Sequence, residues 1–274
     1  NLANIAIVSI TLLSLCFFLL AGLPTAATSG IDNLTPFFPN SIGDLLHASA
    51  LMFVAYTGYG RIATMGEEAR NPRRTIPKAI ITAMVLTMLL YIAVAFVAVG
   101  AVGADVLGKA SAAPLEVVMS RLRIPGGTQI LAIGAMTAML GVLLNLILGL
   151  SRVLLAMGRR RDMPRIVARL NQAGTTPDVA VWVMGIAIAS LVLIGNVKTT
   201  WSFSAFTVLI YYAITNLAAL QLPESDRLYP KWLALLGLAA CLFLAFWVEQ
   251  QIWLSGLSLI IAGLIWHFVA QRRL

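Results

Sequence analysis

Residues 53–61 read FVAYTGYGR and lie within an apolar run over 45–66. Gly58 and Gly60 stand two positions apart in this run, and a helical glycine costs about 1 kcal/mol relative to alanine. Their neighbours in the quoted stretch are aromatic or β-branched, and such side chains lose rotamer freedom in a helix. The stretch therefore predicts a helix that is broken at about 56–60.

A break at this place has chemical consequences. A helix that stops inside the bilayer exposes backbone N–H and C=O groups, which is tolerated only where they line a cavity or bind a ligand. The C-terminal end of the first half attracts cations, and the N-terminal end of the second half attracts anions. A zwitterion such as an amino acid matches both ends. Close packing of small residues against another helix is the alternative explanation for the two glycines.

Three charged residues after the break are candidate gating residues. An arginine within an apolar run costs about 2.5–3.5 kcal/mol at the bilayer centre. Arg61 therefore extends its guanidinium to the interface, pairs with Glu68 on the same helix face, or contacts the substrate. Glu67 and Glu68 begin a segment of mixed charge over 67–78, which forms either a cytoplasmic gate or a solvated loop.

The composition is that of a membrane protein. Of the 274 residues, 60% are apolar and 11% are charged, whereas a soluble domain has about 45–50% and about 25%. A membrane-spanning helix needs about 20 mainly apolar residues. We therefore predict an all-α polytopic membrane protein, organised as a single membrane domain. Its eight transmembrane helices are predicted over 3–23, 45–66, 79–102, 128–157, 179–195, 201–222, 232–248 and 252–270.

The basic residues predict the orientation. Thirteen of the 19 Lys and Arg residues fall in 67–78, 158–178, 223–231 and the C-terminal tail, and four fall in the segments on the other side. Because Lys and Arg are enriched in cytoplasmic loops, we predict an integral protein of the cell's inner or plasma membrane. Both ends of this chain are then cytoplasmic. These loops account for the net charge of +8, so nucleic acid is not an expected partner.

The stretch around the two glycines resembles part of a known family of transporters. The residues FVAYTGYG at 53–60, the following Glu67-Glu68 pair and NPRRTIP at 71–77 are similar to the sixth span, and the loop after it, of the amino acid–polyamine–organocation (APC) permeases.

A second block agrees with the first. Residues 149–157, GLSRVLLAM, followed by DMP at 162–164 and TP at 176–177, resemble the end of the family's eighth span and the loop after it. The two blocks occur in the family's order, and one apolar run and a long loop separate them. The chain as a whole resembles family spans five to twelve.

The resemblance implies a fold of two inverted five-helix repeats. In that fold the first and sixth helices are broken, and the substrate lies between the breaks. By this resemblance Val54 and Thr57 face the substrate, and Gly58, Tyr59 and Gly60 form the break. The helices that correspond to the family's first four are missing from this sequence. We therefore expect the chain to lack the N-terminal half of the same protein, which would complete the site.

Two polar residues within apolar runs are candidates either for ion coupling or for a polar core. Some proton-coupled members of the family carry a lysine in the fifth span, where this sequence has Thr11, so the resemblance does not favour coupling through a lysine. Asn145 either hydrogen-bonds a neighbouring helix or contacts the substrate or an ion. Proton and sodium both stay open as coupling ions. No cofactor is expected, and no metal site, because His47 and His267 lack ligand spacing.

Together these features predict secondary active transport of amino acids or related amines by alternating access. The expected partners are the small-molecule substrate and the lipid bilayer. The alternative is a non-transporting membrane subunit, or a truncated protein that acts by interaction, since half of the site is missing from the sequence. An enzyme is not expected, because the sequence has no glycine-rich phosphate loop and no pair of carboxylates placed to face a cavity.

Overall fold

The computed structural model describes residues 2–35, 41–58, 71–110, 113–172, 174–194 and 196–272. Throughout these ranges the regular structure is helical, with no strand. The helices are α1 (Leu2–Asn33), α2 (Ile42–Phe53), α3 (Pro72–Val102), α4 (Ala104–Lys109), α5 (Pro114–Leu122), α6 (Gly127–Arg159), α7 (Asp178–Ile194), α8 (Val197–Leu220), α9 (Lys231–Ala245) and α10 (Gln250–Arg272). Short 3₁₀ turns cover Val54–Tyr56, Arg165–Ala168 and Glu224–Asp226.

The all-α prediction is confirmed, and each of the eight predicted runs contains an apolar helix. In the described ranges five helices, α1, α3, α6, α8 and α10, are long and apolar enough to cross a membrane. The apolar helices in the other three runs are shorter, over Ile42–Tyr56, Asp178–Leu193 and Lys231–Ala245. The predicted run 232–248 extended three residues too far, because α9 ends at Ala245.

The first predicted span was too short. It was expected to end at residue 23, before Pro24, but α1 continues through this proline to Asn33. An interior proline costs about 3 kcal/mol. Packing on α3 offsets this cost, since Ala26 is buried against Gly100 and the Asn33 amide donates to the Gly100 carbonyl at 2.8 Å.

The third predicted span began too late. It was expected to start at residue 79, but α3 begins at Pro72, after Asn71 in the left-handed conformation at φ 53°. Proline suits the first helical position because its missing N–H has no partner there. Residues 72–78 of the segment of mixed charge are therefore helix, and the stretch between the predicted spans 79–102 and 128–157 contains α4 and α5.

The chain forms two compact units, and the first comprises residues 1–39 and 65–149. Here a Cβ at Gly22 would overlap Val97, and one turn later on both helices a Cβ at Gly100 would lie 3.1 Å from the Cβ of Ala26. Residue numbers rise together on the two helices, so α1 and α3 run in the same direction. The buried core of this unit consists of Phe18, Val97, Ala98, Val118, Met119 and Leu131.

The second unit comprises residues 40–64 and 150–274. In it α8 and α9 pack against each other, most closely where Gly237 meets Asn216. Helix α10 packs on α8 where Gly256 faces the ring of Phe206. The short helix α2 joins this unit through the fully buried Ala50. The buried core consists of Ala50, Ala205, Phe206, Leu209, Tyr212, Ala213, Cys241, Ala245 and Val248.

Candidate functional site

The helix that carries the predicted substrate residues has a well-defined start. Ser41 is the N-cap of α2, and its hydroxyl accepts a hydrogen bond from the Asp44 N–H at 3.3 Å. The Asp44 carboxylate in turn accepts the Ser41 N–H at 3.1 Å. This reciprocal capping box satisfies two backbone donors that a helix start leaves unpaired. The start of α2 is therefore fixed by its own sequence.

The first turns of α2 are also held by the turn between α9 and α10. The Nδ1 atom of His47 lies 2.7 Å from the carbonyl oxygen of Trp247. Its other ring nitrogen, Nε2, lies 3.9 Å from a carboxylate oxygen of Glu249. The Trp247 ring packs so closely on Gly43 that a Cβ there would lie 3.3 Å from it. Side chain and backbone contacts together orient α2 on this turn.

The helical structure ends at Tyr56, inside the region where the break was predicted. After the 3₁₀ turn Val54–Tyr56, Thr57 adopts an extended conformation with φ −86° and ψ 170°. The Thr57 N–H and hydroxyl both donate to the Val54 carbonyl, at 3.2 and 2.7 Å. Gly58 follows with φ 108°, a value that other residues rarely adopt. The rest of the predicted break, Tyr59 and Gly60, lies outside the described residues.

The residues at this helix end differ in their surroundings. Val54 is half-buried and packs beside the core of the second unit. Thr57 is half-buried, whereas Gly58 is exposed, and no atom of the described residues lies within 4 Å of the place where its Cβ would stand. The end of a helix carries partial negative charge on its last carbonyl groups. The arrangement is able to attract the ammonium group of a small molecule. The candidate gating residues Arg61, Glu67 and Glu68 fall in the part of the chain that the structure does not describe.

Two aromatic residues of α8 hold the same helix end, and the sequence interpretation did not assign them this role. The indole N–H of Trp201 donates to the carbonyl oxygen of Leu51 at 2.9 Å. Tyr212 packs edge-on against Phe53 with ring centroids 5.7 Å apart. In the sequence, Trp201 stands at the start of the predicted span 201–222, and no local pattern gives its N–H a partner. The hydrogen bond joins Trp201 to Leu51, which lies 150 positions earlier, so only the folded structure shows it.

Thr11 and Asn145 belong to the first unit, where α1 and α6 form a close seam. A Cβ at Gly134 would lie 2.5 Å from the Cβ of Ser14, and a Cβ at Gly141 would lie 2.7 Å from Ile7. The residue numbers rise on one helix as they fall on the other, so α1 and α6 run in opposite directions. Two glycines seven residues apart therefore let the two helices approach each other closely.

The two predicted polar residues each donate a hydrogen bond within their own helix. The Thr11 hydroxyl donates to the Ile7 carbonyl at 2.9 Å. The Asn145 amide donates to the Gly141 carbonyl at 2.8 Å. The antiparallel register places Thr11 level with Thr137 of α6 and places Asn145 about two turns away. The structure therefore does not bring Thr11 and Asn145 together. Among the described residues no three His, Cys, Asp or Glu side chains are grouped to hold a metal ion.

Apolar helices of membrane-spanning length, together with a helix that ends inside its apolar run, are typical of a membrane transport protein. A sequence model of the family described as "Amino acid permease" matches residues 2–272. The chain belongs to this amino acid permease family. It is therefore an integral membrane protein of a transporter family and not an enzyme, and its resemblance to the APC permeases is confirmed.

Individual relatives agree with the family. An uncharacterized transporter of Mycobacterium tuberculosis is 39% identical over 202 residues, which cover 74% of this chain and 46% of the relative. The branched-chain amino acid permease BcaP of Bacillus subtilis is 28% identical over 254 residues, covering 88% and 53%. Cationic amino acid transporter 5 of Arabidopsis thaliana is 28% identical over 224 residues, covering 80% and 38%. The chain spans about half the length, or less, of these curated relatives.

Proposed function

We propose that the complete protein transports amino acids or related amines across the membrane by alternating access. The substrate would bind at the end of α2, beside Val54, Thr57 and Gly58. The observation that carries this proposal is the helix end at Tyr56, where an apolar helix stops and leaves an extended residue and an open glycine. Membership of the amino acid permease family and the names of two relatives support an amino acid as the substrate.

The binding chemistry follows from the geometry of the helix end. The carbonyl groups at the end of α2 favour the positive ammonium group of the substrate. A helix that begins after the break would favour its carboxylate in the same way. Neither Val54 nor Thr57 carries a charge, so the polar ends of the substrate would be recognised by backbone groups and its side chain by packing. This division of roles suits a zwitterion.

The site would be completed by an N-terminal half of the same protein. The coverage of about half of each relative supports this part of the proposal. The chain would then supply family spans five to twelve of two inverted repeats, with eight crossings and both ends in the cytoplasm. Helix directions within the first unit fit such alternation, since α1 is parallel to α3 and antiparallel to α6.

The decisive experiment is amino acid uptake by the complete protein in proteoliposomes, comparing Gly58→Ala with the parent. The added Cβ meets no atom of the residues that the structure describes, so the variant tests the backbone conformation. A residue held at an unfavourable φ costs about 1–3 kcal/mol, and we expect uptake to fall about fivefold or more. The matched control is Gly185→Ala in the interior of α7, where the Cβ also meets nothing. Equal uptake by the two variants at equal protein levels would refute the role of the helix end.

The alternative, a non-transporting subunit or interaction protein, is favoured by the same coverage of half of each relative. Proteoliposomes that contain only these 274 residues distinguish the two. We expect no uptake above empty liposomes from this chain alone and uptake from the complete protein. If the complete protein also fails to transport any amino acid or amine tested, the subunit function is favoured instead.

A further inference from the structure

A basic groove lies where α6 ends, in the second unit. Its cavity of about 390 Å³ is lined by Gly158, Arg159, Arg161, Arg165 and Ala168. Its floor is tightly packed, because Gly158 is buried and a Cβ there would lie 2.7 Å from the Val167 side chain. The last turn of α6 and the 3₁₀ turn Arg165–Ala168 are thus held side by side. The groove is a feature of the fold and not only of the sequence composition.

The three arginines of the groove share no counter-ion in the structure. Within the described part of the chain, no carboxylate lies within ion-pair distance of Arg159, Arg161 or Arg165. The backbone of Arg161 adopts the left-handed conformation, with φ 66°. Arg160, which lies between two of them in sequence, differs, since its Nε is 3.9 Å from Asp162 and it does not line the groove. Three guanidinium groups around one cavity repel one another unless an anion lies among them.

The loop that adjoins the groove contacts the end of α10. The indole N–H of Trp266, near the end of α10, donates to the Asp162 carbonyl at 3.2 Å. Nδ1 of His267 lies 3.3 Å from the Asp162 carboxylate. Trp266 is 54% exposed, and exposed tryptophans at the ends of membrane helices lie at the headgroup level. Ile166, within the 3₁₀ turn, is 63% exposed and presents an apolar side chain beside the arginines.

We infer that this groove binds the phosphate headgroup of an anionic membrane lipid. Guanidinium groups bind phosphate oxygens through paired N–H donors, and three of them surround one cavity. The exposed Ile166 and Trp266 suit the acyl chains and the interface of the same lipid. With the orientation proposed above, the groove faces the cytoplasmic leaflet, whose anionic lipids attract basic segments. The groove takes no part in the proposed substrate site at the end of α2.

Lipid retention tests this inference on the complete protein, purified in a neutral detergent. Phosphatidylglycerol and phosphatidylcholine are added in turn, and bound lipid is counted by native mass spectrometry. We expect the parent protein to retain phosphatidylglycerol in preference to phosphatidylcholine. A basic residue near an anionic surface contributes about 1 kcal/mol, so each of Arg159→Gln, Arg161→Gln and Arg165→Gln should weaken retention about fivefold. The matched control Arg160→Gln removes one charge from the same loop but outside the groove, and should retain the lipid.

Three outcomes would overturn the inference. Equal loss in Arg160→Gln and the groove variants would show a general charge effect without a site. Full displacement of the lipid by inorganic phosphate at an equal concentration would assign the groove to a soluble anion. Unchanged retention in Arg159→Gln, Arg161→Gln and Arg165→Gln alike would show that the groove does not hold the lipid. Size-exclusion profiles identify any variant that fails to fold, and amino acid uptake by the same samples tests the transport proposal separately.

Discussion

Trp201 and Leu51 are joined by a hydrogen bond of 2.9 Å between the indole N–H and the backbone carbonyl oxygen. The bond connects the first turns of α8 to the last turns of α2. Carbonyl groups at the end of a helix lack helical donors, and here a side chain of another helix supplies one. The geometry of the proposed substrate site therefore depends on the position of α8 as well as on the sequence of α2.

We expect Trp201→Phe to weaken uptake by about threefold, because hydrogen bonds between membrane helices contribute about 0.6 kcal/mol on average. The phenyl ring keeps most of the apolar contact, so the change isolates the indole N–H. The measurement is the KM and maximal rate of uptake by the complete protein. Trp182→Phe is the control, since Trp182 is 72% exposed and has no such bond among the described residues. A parallel decline in both variants would contradict the special role of Trp201.

The N-terminal cap of α2 gives a prediction about stability. Ser41→Ala removes the hydroxyl that accepts the Asp44 N–H, and loss of an N-cap side chain costs about 1 kcal/mol. We expect a lower Tm for the complete protein in detergent. Ser49→Ala lies on the same helix, and its hydroxyl only donates back to the Leu45 carbonyl at 2.8 Å. The cap has no structural importance if Ser41→Ala and Ser49→Ala unfold at the same temperature.

The helix end at Tyr56 could be predicted because its cause is local. Gly58 and its aromatic and β-branched neighbours weaken the helix, and no distant residue is needed for that argument. The continuation of α1 through Pro24 could not be predicted in this way. Its cause is the packing of Ala26 on Gly100 and the bond from Asn33, which join residues 67 or more positions apart.

The partners of the candidate site residues were hidden for the same reason. Residue periodicity shows that Trp201 lies near the start of an apolar run, but not that its N–H reaches Leu51. Thr11 and Asn145 were recognised as polar residues in apolar runs. Each of them donates to a carbonyl one turn earlier in its own helix. The two residues lie at different levels of one seam, and this placement depends on the register of α1 against α6.

The seam between α1 and α6 predicts a specific pair of coupled substitutions. Gly134→Ala would place a Cβ 2.5 Å from the Cβ of Ser14, and such overpacking costs about 1–3 kcal/mol. We expect the Tm to fall by several degrees. Ser14→Gly removes the clashing atoms, so the double variant should lose less stability than the two single variants together. Thermal unfolding of all four proteins measures the coupling.

The opposite sign is expected where a helical glycine faces open space. Gly185→Ala in α7 meets no atom within 4 Å, and alanine favours a helix by about 1 kcal/mol over glycine. Its Tm should stay the same or rise. If Gly185→Ala lowered the Tm as much as Gly134→Ala does, the loss of stability in Gly134→Ala would come from replacing a flexible helical glycine and not from the close approach of α1 and α6.

Thr11 provides the test of ion coupling. Its hydroxyl donates to the Ile7 carbonyl within its own helix, and we propose that Thr11 belongs to the polar core and not to the coupling site. In Thr11→Val the dependence of uptake on proton and sodium gradients should match that of the parent. The rate should change by no more than about threefold, which corresponds to about 0.6 kcal/mol. Ser190→Ala in α7 is the control, because its hydroxyl makes the same kind of bond, to the Ile186 carbonyl at 2.9 Å. Loss of gradient dependence in Thr11→Val alone would assign Thr11 to the coupling site, because the control loses an equivalent hydrogen bond without that effect.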